Sequence, residues 1–259
     1  KMLALSGAIA ADPSIEKVYL INQDYSFGHA VSKAAKNMLA EKRPDVEIVG
    51  DDLHPLGKVK DFAPYIAKIR AAGADSVITA NWGADLALLV KAAKDSGVDV
   101  DFYTYYAGLA GGPTAIGEAG IDRVKQVGQW HVNVGGEKSD AVVESYRSRD
   151  PEHNDDLFFI TLKYGLELLA QSIDKAGSTD ALSVARELEQ GRYEAVTGEV
   201  WIRPDNHQLM QSLYVSTFKR MGEDGVKYEV EQTGTGPKTD FVVAAADTAV
   251  ATTCEMVRP

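Results

Sequence analysis

Apolar and polar positions follow two alternating rhythms along the first half of the chain. Lys17-Val18-Tyr19-Leu20-Ile21 is a short β-rich run that ends at the polar stretch Asn22-Gln23-Asp24. Ala30, Val31, Ala34, Ala35, Met38 and Leu39 then recur at helical spacing up to Arg43-Pro44. The cycle repeats. Val46-Glu47-Ile48-Val49 ends at Gly50-Asp51-Asp52, and Phe62, Ile66 and Ile69 mark a helix that Gly73 stops. Ser76-Val77-Ile78-Thr79-Ala80 ends at Asn81-Trp82-Gly83, and Leu86, Leu89, Val90 and Ala93 make a third helix stopped by Gly97. Phe102 to Tyr106 predicts a fourth strand and Val127 to Val132 a fifth.

Strands that return at about 30-residue intervals with helices between them predict βαβ units, hence an α/β fold with a parallel sheet covered by helices. Right-handed crossovers place every strand's C-terminal end on one edge, and open sheets of this kind bind ligands there. The geometry therefore selects Asn22 to Gly28, Asp51 and Asp52, Asn81 to Gly83, and Tyr105 to Ala107.

From about Gly135 the rhythm changes. Asp140 to Arg149 predicts a short amphipathic helix, and Asp150 to Asp155 a polar break. Phe158 to Ala176 predicts a long helix, apolar on most faces and so buried between layers. Ala181 to Leu188 predicts another helix. Gly198 to Ile202 and Leu213 to Phe218 predict strands around a turn at Pro204-Asp205-Asn206. The tail from Gly222 has weak periodicity and predicts no element. Three helices and two strands are too few to cover both faces of a sheet, so this second unit reads as incomplete.

Bulk properties narrow the function classes. The 259 residues suffice for one large or two ordinary domains, and 45% hydrophobic with 25% charged residues describes a globular chain. A formal charge of −11 argues against nucleic acid as a partner. No apolar run approaches the roughly 20 residues that span a bilayer. The single cysteine, Cys254, excludes cysteine-based metal clusters within the chain and reads as an unpaired or buried thiol; half of a disulfide with an absent partner is the alternative.

The chemical signals favour binding over catalysis. Tyr25, Phe27, Trp82, Tyr105 and Tyr106 gather at the predicted ligand edge, although Tyr and Trp are often half-buried packing residues. Five from three strands suit a pocket with apolar walls and polar tips. Helices opening at Ser26-Phe27-Gly28 and Gly83-Ala84-Asp85 offer N-termini to an anionic group, but Ser26 reads more simply as its own helix's cap. Gly108 to Thr114 lacks the ending of a phosphate loop and the spacing of a dinucleotide site, and reads as a flexible connection. His29, His54, His131, His153 and His207 show no metal-ligand spacing; Asp51-Asp52 and Asp155-Asp156 read as solvated loops. No Gly-x-Ser-x-Gly elbow is present. No cofactor is expected.

At Val18 to Gly28 the sequence resembles the branched-chain amino-acid type of periplasmic binding proteins, which serve ABC importers. Asp61-Phe62-Ala63-Pro64-Tyr65-Ile66, Gly73 to Ile78, Phe158-Phe159 and Arg203-Pro204-Asp205-Asn206-His207-Gln208 extend the likeness over nearly the whole chain. The resemblance implies the two-lobed, type I periplasmic-binding fold, with the second lobe complete and the first lobe partial because the family's first segment is absent. It assigns residues 1–138 to the second lobe, 139–212 to the returning part of the first, and 213–259 to the crossover back and tail. It also implies a periplasmic or extracellular location, a small-molecule ligand, and a membrane permease as partner, with no direct membrane insertion.

Ligand positions carry over one at a time. Phe27 matches an aromatic at the first helix start, Trp82 a tyrosine after the third strand, and Phe158 an aromatic near the long helix. Tyr25, Asn81 and Tyr105 join them from the sheet geometry. Amino-acid-binding relatives hold the ligand's ammonium with an acidic residue where this chain has Tyr106. A phenol is a poor counter-charge, so an aromatic acid is expected in preference to an amino acid, unless Asp24, Asp51, Asp52 or Asp85 reaches the ammonium. An α/β enzyme and a ligand-sensing receptor domain are the rival uses of the same cleft.

Overall fold

A computed structural model describes residues 1–149 and 157–257. The predicted polar break, with His153 and Asp155-Asp156, falls outside the described residues. The chain runs α1 (Met2–Ala11), β1 (Lys17–Gln23), α2 (Ser26–Lys42), β2 (Glu47–His54), α3 (Ala63–Ala71), β3 (Ser76–Thr79), α4 (Gly83–Asp95), β4 (Asp101–Thr104), α5 (Gly112–Ile116) and β5 (Val124–Gly128). It continues through α6 (Glu137–Arg149), α7 (Ile160–Ala176), α8 (Ala181–Gln190), β6 (Arg192–Ala195), β7 (Gly198–Ile202), β8 (Leu209–Met210), β9 (Leu213–Arg220) and β10 (Thr235–Val243).

Seven strands form one sheet in the order β10-β9-β5-β4-β3-β1-β2. β1 to β5 are parallel; β9 runs antiparallel to β5, and β10 antiparallel to β9. Central strands of such a sheet are buried on both faces, which is why they read as unbroken apolar runs. The period-2 pleat still divides them. Tyr19, Ile21, Val77, Phe102 and Val124 join the core that includes Ile66, Leu86 and Val90 from α3 and α4. Val18, Leu20, Ile78, Tyr103 and Val127 join a second core with Leu5 and Ile9 of α1 and Val31 and Leu39 of α2.

The structure corrects several expectations. β5 lies at Val124–Gly128, not at Val127 to Val132: Trp130 has left the ladder, is buried, and donates from its indole to Ser139 Oγ at 2.8 Å. Asp51 and Asp52 belong to β2 and not to a loop, because an edge strand tolerates polar residues whose side chains find partners beside it. Asp51 accepts from Ser32, and Asp52 from Tyr19 Oη at 2.8 Å. Tyr25, not Ser26, occupies the α2 cap position, and no side-chain cap bond forms there. Gly108 to Thr114 is not a free connection. It leads into α5, and the Glu231 carboxylate accepts from Gly111 N at 2.5 Å and Thr114 N at 2.9 Å.

The second unit is smaller. β6, β7 and β8 form an antiparallel three-stranded sheet beside α7 and α8. The Pro204 turn leads from β7 to β8, whereas Leu213 to Phe218 joins the large sheet as β9. α7 begins at Ile160, and it is not buried between layers. Ile160, Tyr164, Leu168 and Ser172 are buried, while Leu162 and Leu166 are 70% and 68% exposed. α8 and β6 pack against one side of α7, and that contact accounts for the buried stripe. Cys254 is exposed. Among the described residues, no helix is long and apolar enough to cross a membrane.

Candidate functional site

Because β1, β3 and β4 are parallel, Asn22, Asn81 and Tyr106 come to the same edge of the sheet. The two asparagines build the edge from below. Asn22 Oδ1 accepts from Ala80 N at 2.7 Å, tying the end of β1 to the end of β3. Asn81 Oδ1 accepts from His54 Nε2 at 3.0 Å, joining β3 to β2. Gln23 Nε2 donates to Asp85 Oδ2 at 2.8 Å, and the same carboxylate oxygen accepts from Gly57 N at 2.8 Å. Asn22, Gln23, His54, Asn81 and Asp85 are all buried. They form a polar floor that fixes where the loops leave the strands.

On this floor stands an open cleft of about 300 Å³, lined by Tyr25, Phe27, Trp82, Tyr106, Leu109 and Phe159. Trp82 Nε1 donates to Tyr25 Oη at 3.0 Å. Phe27 is the hub of the rings, 6.1 Å from Tyr25 and 5.8 Å from Tyr106, centroid to centroid. Tyr105 stands edge-on to Phe27 at 5.4 Å, and burial raises its phenol above the usual tyrosine range. The Lys1 ammonium lies over the Tyr106 ring, 4.7 Å from its centroid. Burial pushes that ammonium down to about 8.

Four of the seven residues selected from sequence, Tyr25, Phe27, Trp82 and Tyr106, meet at the cleft. Asn81 and Tyr105 lie beneath it as supports. Phe158 lines a separate, smaller cavity with Trp130, His131 and Glu231, and its neighbour Phe159 reaches the cleft instead. Their rings are edge-to-face at 4.7 Å. Leu109 and Phe159 escaped the sequence reading. Leu109 hid in a glycine-rich stretch, and Phe159 beside a better-matched aromatic.

None of the four acids that might have met an ammonium lines the cleft. Asp24 is paired with His29 at 2.9 Å, Asp51 with Lys36, and Asp52 with Lys68 at 3.0 Å, while Asp85 is held in the floor. Among the described residues, no group of three His, Cys, Asp or Glu side chains is placed to hold a metal ion.

A parallel sheet that presents an aromatic cleft at its strand ends, with a smaller α/β unit alongside, fits the plan of the two-lobed solute-binding folds. The family described as periplasmic binding protein matches residues 1–225, and the chain belongs to that family. The chain is 31% identical over 253 residues to Leu/Ile/Val-binding protein homolog 4 of Brucella abortus, which covers 94% of this chain and 58% of that protein. It thus spans rather more than half the length of this relative.

Among solved structures, it is similar to the closed leucine-, isoleucine-, valine-, threonine- and alanine-binding protein of Brucella ovis, with a TM-score of 0.89 and 24% identity. That match covers all of this chain and 67% of the other. A solute-binding protein of an ABC transporter from R. palustris, solved with 4-hydroxybenzoate, aligns with a TM-score of 0.74 at 19% identity. This second match covers 95% of this chain and 66% of that one. At these identities the structures show a shared fold.

Proposed function

We propose that the chain is the greater part of an extracytoplasmic solute-binding protein that captures a small aromatic carboxylate and delivers it to the permease of an ABC importer. Residues 1–138 would form the complete lobe, with 213–259 returning to it. Residues 139–212 would belong to the partial lobe, whose other residues complete the pocket and close over the ligand.

The observation that carries the ligand class is the character of the cleft lining. Its walls are ring faces, phenol hydroxyls and one leucine, and the nearby acids are already engaged. An α-ammonium would lose its water there without gaining a counter-charge, at a cost of at least about 1–3 kcal/mol. A flat ring would stack on Trp82 and Phe27, for roughly 0.5–1.5 kcal/mol beyond its area burial. The 4-hydroxybenzoate complex of the R. palustris relative shows that one protein of this fold holds such an acid.

The names of the Brucella relatives favour the second reading, a branched-chain amino acid. A thermal-shift screen of the full-length protein against aromatic acids, their amides and amino acids separates the two. A true ligand at 100 times its dissociation constant adds about 2.7 kcal/mol. Stabilisation by aromatic acids supports the proposal, and stabilisation by leucine, isoleucine or valine alone refutes it. Turnover of a stabilising compound would instead point to the rival enzyme.

A further inference from the structure

The start of α5 is capped from a distance. Its cap position is Gly111, at φ 79°, which has no side chain to offer. Instead the Glu231 carboxylate, 120 residues away between β9 and β10, accepts from Gly111 N at 2.5 Å, Thr114 N at 2.9 Å and Thr114 Oγ1 at 2.6 Å. Pro113 has no N–H, and Gly112 N donates to Leu109 O at 2.6 Å, so the donors of the first turn are all engaged. Glu231 is buried, and both it and Gln232 have positive φ, at 53° and 55°. Successive non-glycine residues stay in that region only where their surroundings hold them there. A local cap satisfies a helix end and nothing more. A carboxylate brought from another segment also fixes where that end sits.

That end carries a wall of the cleft. Leu109, just before Gly111, lines the cleft, and its N–H donates to Tyr106 O at 3.1 Å, so the turn bearing both residues runs straight into the capped helix. Glu231 also lines the smaller cavity beside Phe158. The Phe158 ring stands edge-to-face on Phe159 at 4.7 Å, and Phe159 lines the cleft just ahead of α7. We propose that Glu231 is a positioning residue that sets the separation of Leu109 and Phe159, and with it the size of side group or ring that the cleft accepts. It holds the Leu109 turn by hydrogen bonds and bears on Phe159 through the Phe158 cavity, without lining the cleft itself. The proposal rests on the solute-binding reading of this cleft and holds for either ligand class.

The test uses two size pairs, benzoate with 2-naphthoate and valine with phenylalanine. Each is titrated calorimetrically into the full-length protein and into its Glu231→Ala, Glu231→Gln and Thr114→Val variants. Without the carboxylate, Leu109 is free to retreat. In the pair that binds, Glu231→Ala should weaken the smaller member by about tenfold and leave the larger within about threefold, the scale on which apolar pockets discriminate size. Glu231→Gln keeps an acceptor and should recover part of the parent ratio. A capping role confined to stability would lower the melting temperature and leave the ratio of affinities alone. Should Glu231→Ala fail to fold, Thr114→Val removes one of the three donors and should shift the ratio in the same direction. An unchanged ratio in the folded variant would overturn the role of Glu231 and leave the solute-binding reading standing. No binding of any of these probes by the parent protein would overturn both.

Discussion

Trp82 and Tyr25 leave different strands, 57 residues apart in sequence, and meet through a 3.0 Å hydrogen bond from indole nitrogen to phenol oxygen. The bond fixes the plane of an indole that is 37% exposed, a large apolar surface to leave in water without a purpose. Below it, the Gln23 amide reaches Asp85 and, at 3.4 Å, the carbonyl of Trp82 itself. Both the backbone and the ring of Trp82 are therefore set before a ligand arrives, which lowers the ordering cost of binding.

This arrangement predicts a graded response. Trp82→Ala should weaken an aromatic ligand by more than about tenfold, since both stacking area and a positioned wall are lost. Trp82→Phe keeps a ring but loses the bond to Tyr25, and should fall between the parent and the alanine variant. Calorimetric affinities for the three proteins check the order.

The turn between β1 and α2 holds Phe27 by a close approach that only glycine permits. A Cβ on Gly28 would lie 1.9 Å from the carbonyl oxygen of Gln23, an atom of a buried strand that is not free to retreat. Gly28→Ala should cost about 1–3 kcal/mol, the range for overpacking a well-filled interior. It should also shift Phe27 out of register with Tyr106. Denaturant unfolding gives the first quantity, and ligand affinity of the folded fraction gives the second.

Much of the large sheet was legible because its strands are buried on both faces and separated by helices whose own period is 3.6. The aromatic edge followed from topology alone. Three features had no such signal. α1 is apolar on every side, with Met2, Ala4, Leu5, Ser6 and Ile9 all buried, so it lacks the polar face that would reveal its period. β10 is an edge strand carrying Lys238, Thr239 and Asp240, and mixed polarity of that kind resembles a loop. The exchange of Phe158 for Phe159 is a one-residue matter. α7 starts at Ile160, so both rings precede the helix and a helical argument cannot choose between them.

Acid should destabilise the large sheet through His131. The ring is buried; Asn133 N donates to its Nδ1 at 3.2 Å, so Nε2 carries the proton and donates to Thr239 Oγ1 at 2.8 Å. Desolvation lowers its pKa from 6.5 to about 3, with Asp240 opposing weakly. Above pH 6.5 the folded and unfolded chains both hold a neutral ring. Below it the unfolded chain gains a proton that the folded one refuses, so stability should fall at up to about 1.4 kcal/mol per pH unit until pH approaches 3. His131→Gln should flatten that part of the profile in urea unfolding measured from pH 7 to pH 4.

Leu162 and Leu166 project from α7 with most of their surface in water, and Leu169 lies on the same side, 40% exposed. Neighbouring leucines exposed to this degree form a patch that a folded monomer ordinarily covers. The 259-residue chain by itself should therefore self-associate, and Leu162→Gln together with Leu166→Gln should reduce the association. Light scattering reads both. A monodisperse monomer of the unaltered chain would count against the view that further residues of the smaller lobe pack on this face.

The claim on which the functional account turns is that the cleft of Trp82, Phe27 and Tyr106 takes an aromatic acid in preference to an aliphatic amino acid. Isothermal titration of the full-length protein with hydroxylated benzoates and with leucine, under one buffer, tests it most directly. The account predicts micromolar or tighter binding of an aromatic acid and markedly weaker binding of leucine. Tight binding of leucine with no heat from any aromatic acid would contradict it.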